Sequence, residues 1–265
     1  MSAMTGGVED EVRYDVDGGV ATITIDRPAR RNALSWPVVA ELRRRVTEAR
    51  NDDTVRVVVL TGAGEQAFCA GADLGGMIGE DDEAVHEARG QLASLFQDLW
   101  RLGKPTIARV RGFCLAGGMG LALSCDLVVA ADDAVFGTPE IDVGLWPYMI
   151  TVPLCRSMPP KRALDLMLTG RRVDAAEAER IGFLSRRVAV DELDEVVGEL
   201  AATLAAKSPS AMRLGRNSFY SVWDLTSDDA LSMLHAMLGV ATQLDDAAEG
   251  IAAFEQKRRP NWTGT

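Results

Sequence analysis

A chain of 265 residues, 47% of them hydrophobic, can bury one large core or a core plus an appendage. Its net charge of −11 would repel a polyanion, so nucleic acid is not an expected partner. No apolar run approaches the roughly 18 residues needed to cross a bilayer, which excludes the membrane as a partner. Residues 1–11 are polar and acidic and lack the basic and apolar segments of a leader, so a cytoplasmic location is expected. Cys69, Cys114, Cys125 and Cys155 lie far apart and read as buried free thiols. With His86 and His235 as the only histidines, neither a metal site nor a histidine-centred triad is expected.

In chain order, residues 12–16 and 20–25 flank Asp17-Gly18-Gly19 and predict a hairpin. Ser35 can cap a helix starting near Trp36, with Pro37 suited to its first turn and Val38, Leu42, Val46 and Ala49 following at helical spacing. Residues 55–60 form an apolar run ended by Thr61-Gly62, the pattern of a strand buried on both faces. A loop containing Gly62, Gly64, Gly71, Gly75 and Gly76 leads into a helix expected at about 83–102. Lys104-Pro105 stops that helix, and residues 106–110 predict the next strand. The order then repeats: a glycine-rich turn at 112–120, a short helix around 121–125 and a strand at 127–131.

Beyond about residue 141 the strand signal nearly vanishes. Leu193, Val196, Val197, Leu200 and Leu204 mark one amphipathic helix, and Leu231, Leu234, Leu238, Ala241 and Leu244 another. The expected architecture is an α/β core over residues 1–200 with a helical C-terminal region over 201–265.

Two glycine-rich turns stand out, one from Phe68 to Asp73 and one from Gly112 to Gly120. Small residues after a strand and before a helix allow a ligand close to backbone N–H groups, which stabilise negative charge. Two such turns converging would make an oxyanion hole; tight turns with no further role are the alternative.

The segments Phe68–Leu74 (FCAGADL), Arg111–Leu145 and Glu249–Trp262 resemble the crotonase family, the enoyl-CoA hydratases and isomerases. The resemblance runs from about Val12 to Trp262. It implies a spiral of ββα units with a helical C-terminal trimerisation region, an acyl-CoA thioester substrate, no separate cofactor, and a homotrimer or dimer of trimers. It places the backbone N–H groups of Ala70 and Gly117 in an oxyanion hole. It sets Ala70, Gly71, Ala72 and Asp73 along the CoA path, with helix capping as Asp73's other role. Arg27, Arg30 and Arg31 fall where CoA phosphates bind, and Phe254 and Lys257 where a neighbouring subunit's CoA is reached.

The carboxylates bear on the reaction. Hydratases resembling this chain use two glutamates; the second position is Glu140, and the first is Gly120, which has no side chain. A buried Glu140 should have a raised pKa and could take and return a proton. One carboxylate suffices for a double-bond shift, which puts isomerisation slightly ahead. Hydration with a helper group is one alternative, and a catalytically silent acyl-CoA binder is another. Asp142, sharing a face with Glu140 in an extended segment, and Tyr148 are the candidate helpers. Trp146 and Tyr148 either reshape an acyl pocket or pack in the core. Gly120 could also sit at φ > 0, where a side chain would be strained.

Overall fold

The computed structural model describes residues 11–73 and 83–265. The chain opens with β1 (Val12–Asp17) and β2 (Val20–Ile25), paired antiparallel around a two-residue Gly18-Gly19 turn with positive φ at both positions. A 3-10 turn (Pro28–Arg30) leads into α1 (Trp36–Asn51). Then a unit recurs: strand, short strand, helix. The first is β3 (Val57–Gly62), β4 (Ala67–Cys69) and α2 (Glu83–Trp100). The second is β5 (Thr106–Val110), β6 (Phe113–Leu115) and α3 (Gly117–Leu123). The third is β7 (Leu127–Ala131), β8 (Val135–Gly137) and α4 (Thr151–Ser157).

The first strand of each unit joins one sheet and the second strand joins another. The larger sheet runs β1-β2-β3-β5-β7-β10 and the smaller runs β4-β6-β8-β9. Here β9 is Arg172–Asp174 and β10 is Arg186–Val188, the two short strands that hydropathy patterning misses beyond residue 141. Three residues cannot carry a period-2 signal; these segments are strands because an edge of each sheet was open to them. Successive units therefore wind as a spiral of ββα turns. Around β9 and β10 lie α5 (Pro160–Thr169), α6 (Ala175–Ile181) and α7 (Leu193–Ala205).

The continuous apolar strand VVVLTG follows from burial on both faces. Val58 and Leu60 join the main core with Phe68, Leu95 and Phe136, whereas Val57 and Val59 face Ile107, Leu193, Val197 and Leu200. The expected division at residue 200 thus falls inside α7, a helix packed on the large sheet.

The C-terminal helices are α8 (Pro209–Val222), α9 (Ser227–Ala241) and α10 (Asp245–Glu255). Asp126, just before β7, fastens α8 to the core. It accepts from the Arg216 guanidinium at 2.7 Å and the Tyr220 hydroxyl at 2.6 Å, while Arg216 also donates to the carbonyls of Leu99 and Trp100. By contrast α9 buries no residue, and Leu231 and Leu238 are 67% and 62% exposed. The helix read from their spacing is present, with its apolar face uncovered in the single chain. No helix among the described residues is long and apolar enough to cross a membrane.

Candidate active site

Strands β4, β6 and β8 are parallel neighbours, so their carboxyl ends open at one edge of the small sheet. The residues leaving those ends are Ala70–Asp73, Ala116-Gly117 and Thr138-Pro139-Glu140. The crevice outside the carboxyl ends of parallel strands is where α/β folds place ligands. Strand pairing brings the two glycine turns and the segment carrying Glu140, far apart in sequence, to one edge of the sheet.

The first turn is clamped by residues 31–34. Ala70 N–H donates to Arg31 O at 3.0 Å, Leu34 N–H to Gly71 O at 2.8 Å, and Asp73 N–H to Leu34 O at 2.8 Å. This corrects the expectation for Ala70, whose N–H is consumed in the fold and is not free to hold a thioester oxygen. Ala72 is bridged to Leu34, and its N–H, like that of Gly71, has no partner among the described residues. The N–H groups left free in this turn thus lie one and two residues beyond Ala70.

The second turn begins with Ala116 at φ 51, ψ −129, a conformation that costs a non-glycine residue about 1–3 kcal/mol. Its N–H is tied to Gly137 O at 2.8 Å, which holds the strained peptide against the end of β8. Gly117 then starts α3, where its N–H has no intrahelical partner and carries the positive end of the helix dipole. The two turns touch: a Cβ on Gly71 (φ 98) would lie 2.6 Å from Ala116 Cβ and 3.6 Å from Gly117 N. Only glycine at 71 permits that approach.

Glu140 lies in a 3-10 turn, Pro139–Val143, three residues past the carbonyl that anchors Ala116. Its Oε2 is buried without a partner among the described residues. Burial raises the carboxyl pKa from 4.5 to about 7, offset only partly by its own backbone N–H. A carboxyl half ionised near neutral pH can both take and return a proton.

The raised carboxyl also makes a stability prediction. A carboxyl raised in the fold stabilises it fully below about 4.5, and this contribution is lost as pH rises to about 7. Glu140→Gln removes the titration, so its stability relative to wild type should grow between those limits and then level off. The ceiling is about 3 kcal/mol, since each tenfold gain in proton affinity on folding is worth about 1.4 kcal/mol. Urea unfolding of both proteins at pH 5 and pH 8 checks this; an identical difference at the two values would mean the carboxyl is not raised.

Comparisons with known proteins cover nearly the whole chain. The family model described as enoyl-CoA hydratase/isomerase matches residues 15–265. The chain belongs to that family. It is 36% identical over 255 residues to a protein of Mycobacterium tuberculosis named probable enoyl-CoA hydratase, covering 96% of this chain and 98% of that one. It is 34% identical over 252 residues to the short-chain-enoyl-CoA hydratase of Clostridium acetobutylicum, covering 94% and 96%. The crystal structure of an enoyl-CoA hydratase from Bacillus anthracis superposes with a TM-score of 0.92 at 33% identity, covering 96% and all of that chain.

Gly120, the position at which the resemblance places a second glutamate in hydratases, lies within α3 and not at positive φ. Its requirement for glycine comes from packing. A Cβ there would stand 2.4 Å from Ile150 Cγ2 and 3.0 Å from Phe96 Cζ, both from buried side chains. The volume beside Gly120 is thus filled with hydrocarbon.

The helpers fare differently from expectation. The segment holding Asp142 is a 3-10 turn and not an extended strand; Asp142 is exposed, and its carboxylate sits against Gly170. Tyr148 is 77% exposed, whereas Trp146 packs on the main core.

Among the basic residues, Arg27 is structural. Its guanidinium donates to Ala33 O and pairs with Glu11 and Asp73, and only 11% of its side chain is exposed, so it is not free for a phosphate. Arg30 is 68% exposed and only 3.9 Å from Asp73, leaving it able to swing outward. Arg31 lies over the Phe113 ring beside a groove lined by Pro28, Ala29, Glu65 and Ala67. Asp73 pairs with Arg27 and Arg30; the residues it would cap lie outside the described ones. Phe254 is 86% exposed on α10, and Lys257, just past that helix, is exposed with φ 53. Among the described residues, no hydrogen bond ties either of them to residues 70–73, 116–117 or 140.

Patterning also missed Asn32, which is fully buried at φ 56. A buried amide in the left-handed region is the signal that marks it, and only coordinates reveal that.

Proposed function

We propose that the chain acts on an enoyl-CoA thioester by proton transfer at the carbon next to the carbonyl, with Glu140 as its single acid–base. The N–H groups of Ala72 and Gly117 hold the thioester oxygen as it gains negative charge. The observation that carries this reading is the Glu140 carboxyl, whose Oε2 is buried without a partner among the described residues and whose pKa is pushed up to about 7. A pure acyl-CoA binder has no use for such a group.

Addition of water to a 2-enoyl-CoA is put first, because relatives over nearly the whole chain are named enoyl-CoA hydratases. As the water oxygen bonds to C3, Glu140 takes the water proton and the double-bond electrons move onto the thioester oxygen. The enolate collapses as C2 takes a proton from the Glu140 carboxyl. H and OH have been added, and the carboxylate is regenerated. A second reading, double-bond shift, has the filled space beside Gly120 in its favour, since it needs one carboxylate only: a proton leaves C2 and returns at C4.

CoA is part of the substrate and no separate cofactor enters the proposal. Arg30 is the candidate for a CoA phosphate, with Gly71 and Asp73 along its path. The uncovered apolar faces of α9 and α10 support assembly as a homotrimer or dimer of trimers, in which Phe254 and Lys257 approach a neighbour's CoA. Cytoplasmic location is proposed with it.

Mass spectrometry of products from 2-enoyl- and 3-enoyl-CoA esters in H₂¹⁸O separates the readings. ¹⁸O in a hydroxyacyl-CoA supports hydration, and a moved double bond without ¹⁸O supports isomerisation. No turnover on a broad panel would contradict both.

A further inference from the structure

The strand carrying Ala72 is held by the segment 31–34. Residues 31–34 accept the N–H groups of Ala70 and Asp73 and donate to Gly71 O, while the N–H groups of Gly71 and Ala72 have no partner among the described residues. That segment reaches the strand because two consecutive residues, Arg31 at φ 50 and Asn32 at φ 56, turn the chain through the left-handed region. Arginine gains nothing locally from that conformation; asparagine tolerates it better than most residues.

Asn32 fixes the turn with its whole side chain. Its Oδ1 accepts the Arg27 N–H at 2.9 Å, and its Nδ2 donates to Ala63 O at 2.9 Å and Ala67 O at 2.7 Å. Its own N–H reaches Arg27 O at 2.9 Å. The amide thus ties the turn to the end of β3 on one side and to the start of β4 on the other. From β4 the chain runs on to Ala72 within three residues. Asn32 is fully buried, so water cannot replace a lost bond.

We infer that Asn32 is a positioning residue for the oxyanion hole: its buried amide sets the turn that aims the Ala72 N–H at the thioester oxygen. The inference rests on the reading of Ala72 and Gly117 as oxyanion donors. Displacing such a donor by about 1 Å can cost on the order of 10²-fold in rate while leaving the remaining contacts to a large ligand intact.

The test uses para-dimethylaminocinnamoyl-CoA, whose absorption band moves to the red when its thioester carbonyl is polarised. Wild type should show the red shift; its absence would overturn the oxyanion reading itself. Asn32→Gly keeps the left-handed backbone available and removes the amide. It should bind the probe within about threefold of wild type, lose most of the red shift, and lower kcat by about 10–10²-fold. A full red shift with unchanged kcat would overturn the inference. So would loss of probe binding together with the red shift, which is what a merely structural role gives.

Should Asn32→Gly fail to fold, Asn32→Asp carries the test. Its carboxylate would face two carbonyl oxygens, and on protonation it regains a donor to one of them. Glu140 titrates in both proteins, so the red shift of the Asp variant is read relative to wild type at the same pH, and that ratio should rise as pH falls. A red shift in the Asp variant equal to wild type at every pH would overturn the inference.

Discussion

Glu140→Gln is expected to lower kcat by at least about 10²-fold, the low end of what a positioned acid–base contributes. Affinity for a CoA ester should stay close to wild type. Glutamine keeps the shape of the side chain and its polar reach but cannot titrate. The size of the effect follows from the surroundings of the carboxyl. Its Oε2 is buried without a partner among the described residues, and no second carboxylate can enter at Gly120 while Ile150 and Phe96 occupy that space. Asp142, turned toward Gly170, is not placed to substitute. Steady-state kinetics on 2-enoyl- and 3-enoyl-CoA esters, with ligand affinity measured separately, separates loss of chemistry from loss of binding. Wild-type kcat in this variant would remove Glu140 from the mechanism.

The second large effect is expected at Gly117. Proline there removes the N–H, and its ring suits the first position of a helix. Alanine is the control, because it keeps the N–H and adds only a Cβ. That Cβ would be 3.6 Å from Leu92 Cδ2 and 3.7 Å from Leu34 Cδ1, which is ordinary contact. The ratio of kcat between Gly117→Ala and Gly117→Pro isolates the donor and should be about 10²–10³, as for loss of one oxyanion-hole hydrogen bond. Circular dichroism and thermal melts confirm that both variants are folded. A ratio near one would mean that Gly117's N–H does not meet developing charge.

The parts of this molecule that were legible in the sequence are those whose signal is local. The run Val57–Gly62 reads as a doubly buried strand because both its faces meet hydrocarbon, and the glycine turns announce themselves by composition. Glu140 stands out in the sequence only through the resemblance of a long segment; that its Oε2 is buried comes from the fold. The parts that were missed depend on partners distant in the chain. Ala70 and Ala72, two residues apart, would face alike in a regular strand; Gly71 at φ 98 between them breaks the alternation, so that Ala70's N–H is taken by Arg31 and Ala72's is not. Gly120 reads in the sequence as a missing side chain or a turn. That it is a packing position follows only from Ile150, thirty residues away along the chain.

The central claim is that Glu140 moves a proton at C2 of an enoyl-CoA, and isotope labelling tests it most directly. A 2-enoyl-CoA is turned over in D₂O and the product is examined by NMR and mass spectrometry. Wild type should deliver a hydrogen to C2, seen as deuterium there, and Glu140→Gln should do so at least about 10²-fold more slowly. Product released only as free acid and CoA, with no new C2 hydrogen, would contradict the account. Equal labelling rates in the two proteins would contradict it as well.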